Sequence, residues 1–132
     1  MDGELTKYRP FIGREYEPPH GCLRLVEQVF HEAYEKGRDK VVGIDNGIPA
    51  NSSRPLFELI QRLTYPVSPG DVQEGDIILV RSRPWHIGVV IDPKKRLMLH
   101  SYDGGAACIE QFIGPSWESR IAGFYRYVDV DD

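Results

Sequence analysis

The stretch PPHGCLRLVEQVF, residues 18–30, runs from two prolines through one glycine and one cysteine into a helix-like pattern. Apolar residues recur from there at the spacing of one helix face, which predicts an amphipathic helix over residues 22–36 with Gly37 as its C-cap. Cys22 falls in the first turn, where Ser, Thr and Asp are the usual residues. A thiol in this position is either a buried packing residue or a nucleophile.

The remaining segments predict a single α+β domain in which helices precede an antiparallel sheet. A short helix with an early proline is expected at residues 55–63, after a loop. Strands are expected at residues 76–81, 86–91, 96–101, 107–112 and 123–128. The predicted fold is a helix packed on a sheet of about five strands, spanning residues 21–128. Residues 1–20 are interpreted as an extended arm packed on the domain, and residues 129–132 as an acidic tail.

Composition excludes several classes of protein. The 132 residues are 41% hydrophobic and 27% charged, which is typical of one ordinary globular domain. A formal net charge of -4 leaves no broad basic face for nucleic acid. The chain shows neither a signal-peptide pattern nor an apolar run of membrane-spanning length, so we expect synthesis in the cytoplasm and no membrane insertion.

The segment HIGVVIDPKKRLMLHS, residues 86–101, predicts a β-hairpin whose register follows from parity. Ile87, Val89 and Leu99 belong to apolar faces that pack together only if odd residues oppose odd residues. His86 and His100 then share the opposite face, either directly opposed or offset by two positions according to the turn length. Two half-buried polar residues on a strand are the simpler interpretation of this pair. Gly88 lies on the same face and indicates a close approach by a ligand or another backbone.

Cys22, His86 and His100 together have the parts of a nucleophilic triad. The positive end of the helix dipole and its unpaired N–H groups favour a thiolate, and the same N–H groups can bind an oxyanion. A nearby His86 would act as the base, and a polar group such as His100 would orient it. The alternative for Cys22 alone is a buried structural cysteine.

The other Cys and His residues fit structural roles better. Cys108 stands between apolar residues of a predicted strand, where packing of a small side chain explains it. His20 precedes the helix and His31 lies on its polar side, so both are weaker candidates. A zinc site built from His20, Cys22 and His86 lacks a recognisable ligand spacing, and the two cysteines show no metal or disulfide motif.

Four segments resemble the NlpC-type papain-like cysteine peptidases: GCLRLVEQVF, GDIILVRSRPWHIGVVID, RLMLHS and WESRIAGFYRY. The similarity covers residues 11–127 and is greatest to the small versions encoded in phage-tail and phage-like modules. It implies that Cys22 is the nucleophile, His86 the general base and acid, and His100 the residue that orients His86. The implied substrate is a peptide bond in the stem of bacterial peptidoglycan. No metal or organic cofactor is implied.

The residues around the cysteine depart from the family pattern, which usually places Asp immediately before it. Gly21 stands there instead, and Leu23 and Arg24 follow the cysteine. Since the Asp is thought to hold the substrate's amine, the usual specificity is in question, and an Arg24 that faced the cleft would favour an acidic group. Tyr16 is the best match to the family's upstream oxyanion tyrosine.

The resemblance also supports a hypothesis about delivery and leaves alternatives open. A tail hub or tip protein would carry the chain on a virion tail tip or baseplate to the periplasm or cell wall. One alternative is a catalytically silent assembly protein of the tail hub that retains the fold. Another is an acyltransferase or amidase, since the Cys–His–His set does not distinguish water from an amine as the acceptor.

Overall fold

The computed structural model describes residues 3–15, 21–33, 53–82, 85–102 and 105–128. Within them the α-helices are α1 (Gly21–Glu32), α2 (Arg54–Leu63) and α3 (Pro115–Glu118), and 3-10 helices occupy Gly3–Phe11 and Pro69–Asp71. The strands are β1 (Thr64–Val67), β2 (Ile77–Val80), β3 (His86–Asp92), β4 (Leu97–His100), β5 (Cys108–Gln111) and β6 (Ile121–Tyr127). The predicted α+β class is therefore confirmed. The predicted end of α1 and its cap Gly37 lie outside the described residues.

The strands form one antiparallel sheet in the order β1-β6-β2-β3-β4-β5. The sheet has six strands among the described residues, one more than the five or so predicted. The additional strand is β1, which pairs with β6 from Thr64–Tyr127 to Val67–Phe124. Its sequence, TYPV, contains a proline and looks like a turn, but an edge strand tolerates proline because one side needs no ladder hydrogen bonds.

Two apolar layers cover the two faces of the sheet. On one face the odd residues of the hairpin, including Ile87, Val89 and Leu99, pack with α1 and α2. On the other face Val90 and Met98 pack with residues of β2, β6 and α3. This separation of odd from even residues is the parity expected from the sequence.

The N-terminal segment packs on the first layer as a 3-10 helix, so the predicted extended conformation is wrong. Leu5, Tyr8 and Phe11 are all buried in the core. Their spacing of three residues matches the three residues per turn of a 3-10 helix, which places all of them on one side. None of the described helices has the length and apolar character needed to cross a membrane.

Candidate active site

Cys22 is the second residue of α1 and is almost fully buried, with 5% of its surface exposed. Its sulfur accepts backbone hydrogen bonds from Ile87 in β3 and from Leu23 and Cys22 itself at the start of α1. Burial raises the pKa of the Cys22 thiol, and these hydrogen bonds lower it by less. The N–H groups at the helix start therefore act in the expected direction, but desolvation disfavours the charge more strongly, so the thiol form is favoured in the resting state.

The two histidines of the hairpin are in direct contact. Nε2 of His86 lies 2.8 Å from Nδ1 of His100, and both side chains are buried. β3 pairs with β4 through Val89–Leu99, so His86 and His100 are offset by two positions. A register shift between Val90 and Asp92 accompanies the turn over residues 93–96. The predicted shared face and the interaction of the two rings are confirmed.

Gly88 is the residue directly opposite His100 and allows the two strands to come close. A Cβ atom at this position would lie 3.0 Å from Cβ of His100 and 3.1 Å from the carbonyl oxygen of Leu99. Contacts this short are repulsive, since carbon atoms pack best at about 3.5–4.0 Å. The close approach indicated by the sequence is therefore that of β4 itself.

Glu110 extends the pair into a line of three groups. Nε2 of His100 lies 2.8 Å from Oε1 of Glu110, a residue of β5 whose side chain is 42% exposed. No local sequence pattern indicated a role for Glu110. Its even number placed it on the same strand face as Cys108, but its proximity to His100 depends on how β5 pairs with β4.

The carboxylate sets the positions of the ring protons along this line. A carboxylate only accepts hydrogen bonds, so Nε2 of His100 donates to Glu110 and Nδ1 of the neutral ring must accept. Nε2 of His86 therefore donates to His100. This assignment leaves Nδ1 of His86 without a proton and able to act as a base.

Burial holds His86 neutral in the resting state. Desolvation, followed by the electrostatic effects of His100 and Arg120, lowers the pKa of His86 to about 3. Tyr102 covers the ring, with centroids 4.6 Å apart and planes inclined by 12°. The same Tyr102 ring lies edge-on to His100, so one half-exposed side chain contacts both histidines.

Structural comparison identifies the fold. A protein from Staphylococcus aureus described as similar to a lipoprotein of the NLP/P60 family is 16% identical and has a TM-score of 0.58 over 97% of this chain and 43% of its own. An NlpC/P60 family protein from Bacillus cereus is 18% identical, with a TM-score of 0.62 over 94% of this chain and 39% of its own. This chain has the NlpC/P60 fold. It spans about two fifths of the length of either structure. No protein-family model and no curated protein sequence matches the chain.

In this NlpC/P60 fold a small cavity of about 10 Å³ lies beside the start of α1, with Gly21, Arg24 and Ser101 in its lining. Arg24 is exposed. The hydroxyl of Ser101 is buried and has no hydrogen-bond partner among the described residues. The cavity has room for about one water molecule, which is the usual partner of such a buried hydroxyl.

The remaining predicted residues lie apart or fall outside the described part. Tyr16 and His20 are outside it, so neither the oxyanion tyrosine nor the alternative zinc site is tested. His31 is half-buried in the last turn of α1. Cys108 is exposed on β5, so its interpretation as a buried packing residue is wrong. The outermost strand of the sheet leaves this side chain accessible.

One group of side chains in the described part meets the distance requirement for a metal ion. Nε2 or Nδ1 of His100, Sγ of Cys108 and a carboxylate oxygen of Glu110 all lie within 4.8 Å of one another. This group shares His100 with the line of histidines. The Cys22 thiol, the two contacting histidines and a mixed N, S and O ligand set thus lie around one hairpin.

Proposed function

We propose that the protein is a cysteine peptidase that cleaves the stem peptides of peptidoglycan, with Cys22 as nucleophile, His86 as base and His100 as the residue that orients it. The observation that carries the proposal is the hydrogen-bonded line from Glu110 through His100 to His86. In this arrangement Nδ1 of His86 carries no proton. His86 directly precedes Ile87, whose backbone N–H donates a hydrogen bond to the Cys22 thiol. The NlpC/P60 fold supports the same assignment.

In the proposed reaction the Cys22 thiol gives its proton to Nδ1 of His86 as the sulfur attacks the peptide carbonyl. Backbone N–H groups at the start of α1 stabilise the oxyanion. The protonated His86 then donates that proton to the departing amine, which leaves a thioester on Cys22. Water, deprotonated by His86, hydrolyses the thioester, and the proton finally returns to the thiol.

Proton transfer in this scheme occurs during attack rather than before it. Burial raises the pKa of Cys22 and lowers that of His86, so both groups are neutral in the free protein. A preformed thiolate–imidazolium pair is therefore disfavoured before substrate binds. The substrate's polar groups and the developing oxyanion contacts must supply the stabilisation that favours charge separation.

Glu110 acts in this scheme as a positioning residue. Glu110→Ala removes the acceptor for Nε2 of His100, which frees that ring to adopt either tautomer. We expect kcat to fall by about 10-fold or more while KM changes little, because a general base contributes about 10²–10⁴-fold to such reactions. Glu110→Gln retains an acceptor oxygen and should recover part of the loss. Ring-nitrogen NMR of His86 and His100 should show mixed tautomers in Glu110→Ala, a change that a purely structural role would not produce.

The direct test is digestion of purified peptidoglycan sacculi in the presence of a metal chelator. Soluble peptides and newly exposed amines are measured by mass spectrometry for the wild type, Cys22→Ala and Cys108→Ser. The chain has only these two cysteines, so each variant retains one thiol. We expect Cys22→Ala to lose turnover and Cys108→Ser to retain it. Equal turnover by the wild type and Cys22→Ala would disprove the proposed nucleophile.

The proposal also covers the chemistry of the substrate and the route of delivery. Arg24 is exposed near the start of α1, and its guanidinium favours a substrate carrying an acidic group. Delivery by a phage tail hub to the cell wall rests on the sequence resemblance. Co-purification of the chain with tail particles, followed by sacculus digestion by those particles, is the corresponding experiment.

A second candidate function is a catalytically silent assembly protein with the same fold. The observation in its favour is the burial of both Cys22 and His86, which leaves 5% and 6% of their surfaces exposed. This candidate predicts that sacculi remain intact with every variant. It also predicts that mutation of Cys22 changes only stability and assembly.

A further inference from the structure

The edge of the sheet holds three potential metal ligands on one face. β4 pairs with β5 so that His100 is directly opposite Cys108 and Met98 is opposite Glu110. Side chains two residues apart on a strand share a face, so Cys108 and Glu110 both project on the side of His100. Because β5 is the last strand in the sheet, a solvated ion can reach these ligands from outside the core.

The ligand chemistry of this cluster fits zinc. Imidazole nitrogen, thiolate sulfur and carboxylate oxygen are the donors that Zn²⁺ uses, and three protein ligands with one water complete a tetrahedron. Zn–N and Zn–O bonds of about 2.0–2.2 Å place N and O about 3.3 Å apart in a tetrahedral site. The present separation between Nε2 of His100 and Oε1 of Glu110 is 2.8 Å. A small rotation of the half-exposed Glu110 side chain is enough to admit the ion.

We propose that His100, Cys108 and Glu110 form a binding site for Zn²⁺ or a similar thiophilic divalent cation, and that occupancy of this site switches off the base function of His86. The first part stands on the geometry of the cluster alone. The second part rests on the proposed peptidase function.

The switch follows from the direction of the hydrogen bond between the two rings. A metal on Nε2 of His100 takes the place of the proton that this nitrogen gives to Glu110. The neutral His100 ring then carries its proton on Nδ1 and donates to Nε2 of His86, which reverses the bond. His86 must in turn hold its proton on Nδ1, so it no longer accepts the proton of Cys22.

The protons balance across this change. His100 loses one proton from Nε2 to water and gains on Nδ1 the one that His86 releases from Nε2. His86 takes a replacement from water on Nδ1, so the histidine pair has no net change. The Cys108 thiol loses its proton to become a ligand, and binding therefore releases one proton per ion.

The charges around the cluster also favour binding of a divalent cation. The guanidinium of Arg120 acts electrostatically on His100 and opposes a second cation there. The thiolate of Cys108 and the carboxylate of Glu110 provide two negative charges in direct contact with the ion, which outweighs one positive charge that does not contact it.

Binding is tested first in Cys22→Ala, in which Cys108 is the only thiol. Co²⁺ is used as a spectroscopic probe, and Zn²⁺ affinity is measured by competition with a chromophoric chelator. We expect one ion per chain, a sulfur-to-cobalt charge-transfer band and release of one proton. Cys22→Ala combined with Cys108→Ser should lose the band and bind Zn²⁺ at least about 100-fold more weakly, since even outer-shell partners change affinity by about 10–100-fold. Absence of the band, or equal Zn²⁺ affinity of the two variants, overturns the site.

The switch is tested by NMR and by activity. Ring-nitrogen spectra of Cys22→Ala should show the proton of His86 moving from Nε2 to Nδ1 when Zn²⁺ is added; an unchanged tautomer with the ion bound overturns the switch. With the thiol of Cys22 intact, Zn²⁺ should reduce sacculus hydrolysis by about 100-fold or more, the contribution of a general base. Cys108→Ser should resist this inhibition while retaining metal-free activity. If the metal-free wild type hydrolyses nothing, the peptidase proposal fails, while the cobalt and NMR measurements still decide the metal site.

Discussion

Replacing Gly88 by Ala tests whether the close approach of β3 and β4 positions the two histidines. The new methyl group would lie 3.0 Å from Cβ of His100 and 3.1 Å from the Leu99 oxygen, whereas its third neighbour, Cγ2 of Ile78, is at an ordinary 3.5 Å. Relief of the two short contacts requires the strands to separate by about 0.5 Å at His100. Overpacking of this kind costs about 1–3 kcal/mol. Alanine also restricts the unfolded chain more than glycine does, which raises the free energy of unfolding by about 0.4–1 kcal/mol.

A net loss of about 1–2 kcal/mol corresponds to a Tm lower by about 4–8 °C for a chain of this length. The displaced His100 should also reduce kcat/KM for sacculus hydrolysis by about 10-fold, since an error of about 1 Å costs about 100-fold. Gly70→Ala is the matched control, because a Cβ there meets no atom of the described structure within 4 Å. Identical Tm and activity for the two variants would refute the argument that Gly88 permits the approach of His100.

Further predictions concern the two thiols, His86 and a half-buried ion pair. A neutral alkylating reagent should label the exposed Cys108 before Cys22, because burial raises the pKa of Cys22 and hides its sulfur; mass spectrometry that finds Cys22 labelled first would contradict this. The pKa of His86 is about 3 in the fold and about 6.5 when unfolded, so protons bind the unfolded chain more tightly. The free energy of unfolding should therefore decrease as pH falls from 6.5 towards 3, by up to about 1.4 kcal/mol per pH unit. In urea titrations, His86→Gln should reduce this dependence of the free energy of unfolding on pH. Asp76→Ala should cost about 2 kcal/mol by the same assay, since the buried Asp76 accepts two hydrogen bonds from the partly exposed Arg126; a change below about 1 kcal/mol would assign that pair no structural role.

Local patterns predicted the parts of this fold whose residues interact with near neighbours in the chain. The apolar period of α1 and the alternation in β3 and β4 specify which faces are buried, and that parity alone brought His86 and His100 together. The 3-10 helix at Gly3–Phe11 also had a visible signal, the spacing of its three buried residues, but Pro10 and the later Pro18 and Pro19 favoured an extended interpretation. β1 had no comparable signal, because its strand identity comes from pairing with β6.

Features that depend on distant pairing could not be predicted in this way. Glu110 reaches His100 only because β5 is aligned with β4, and nothing within the sequence of β5 specifies that register. The exposure of Cys108 has the same origin, since its apolar neighbours Ala107 and Ile109 do not distinguish an edge strand from a central one. The pKa of Cys22 depends on how much surface the whole fold buries, whereas its place in the first turn of α1 was evident from the sequence.

The reversal of the expected protonation state changes how the residues around Cys22 should be interpreted. A preformed thiolate needs a polar environment, and α1 instead places the Cys22 sulfur among apolar core residues, where it accepts backbone hydrogen bonds from described residues. Under these conditions the direction of the hydrogen bonds along His86, His100 and Glu110 matters more than the helix dipole, because it decides which nitrogen can take the proton at the moment of attack. Control of the proposed activity then lies at the far end of this line, where the carboxylate of Glu110 and the thiol of Cys108 are exposed to solvent. A metal ion or other group bound there would change proton transfer from Cys22 without contacting Cys22 itself.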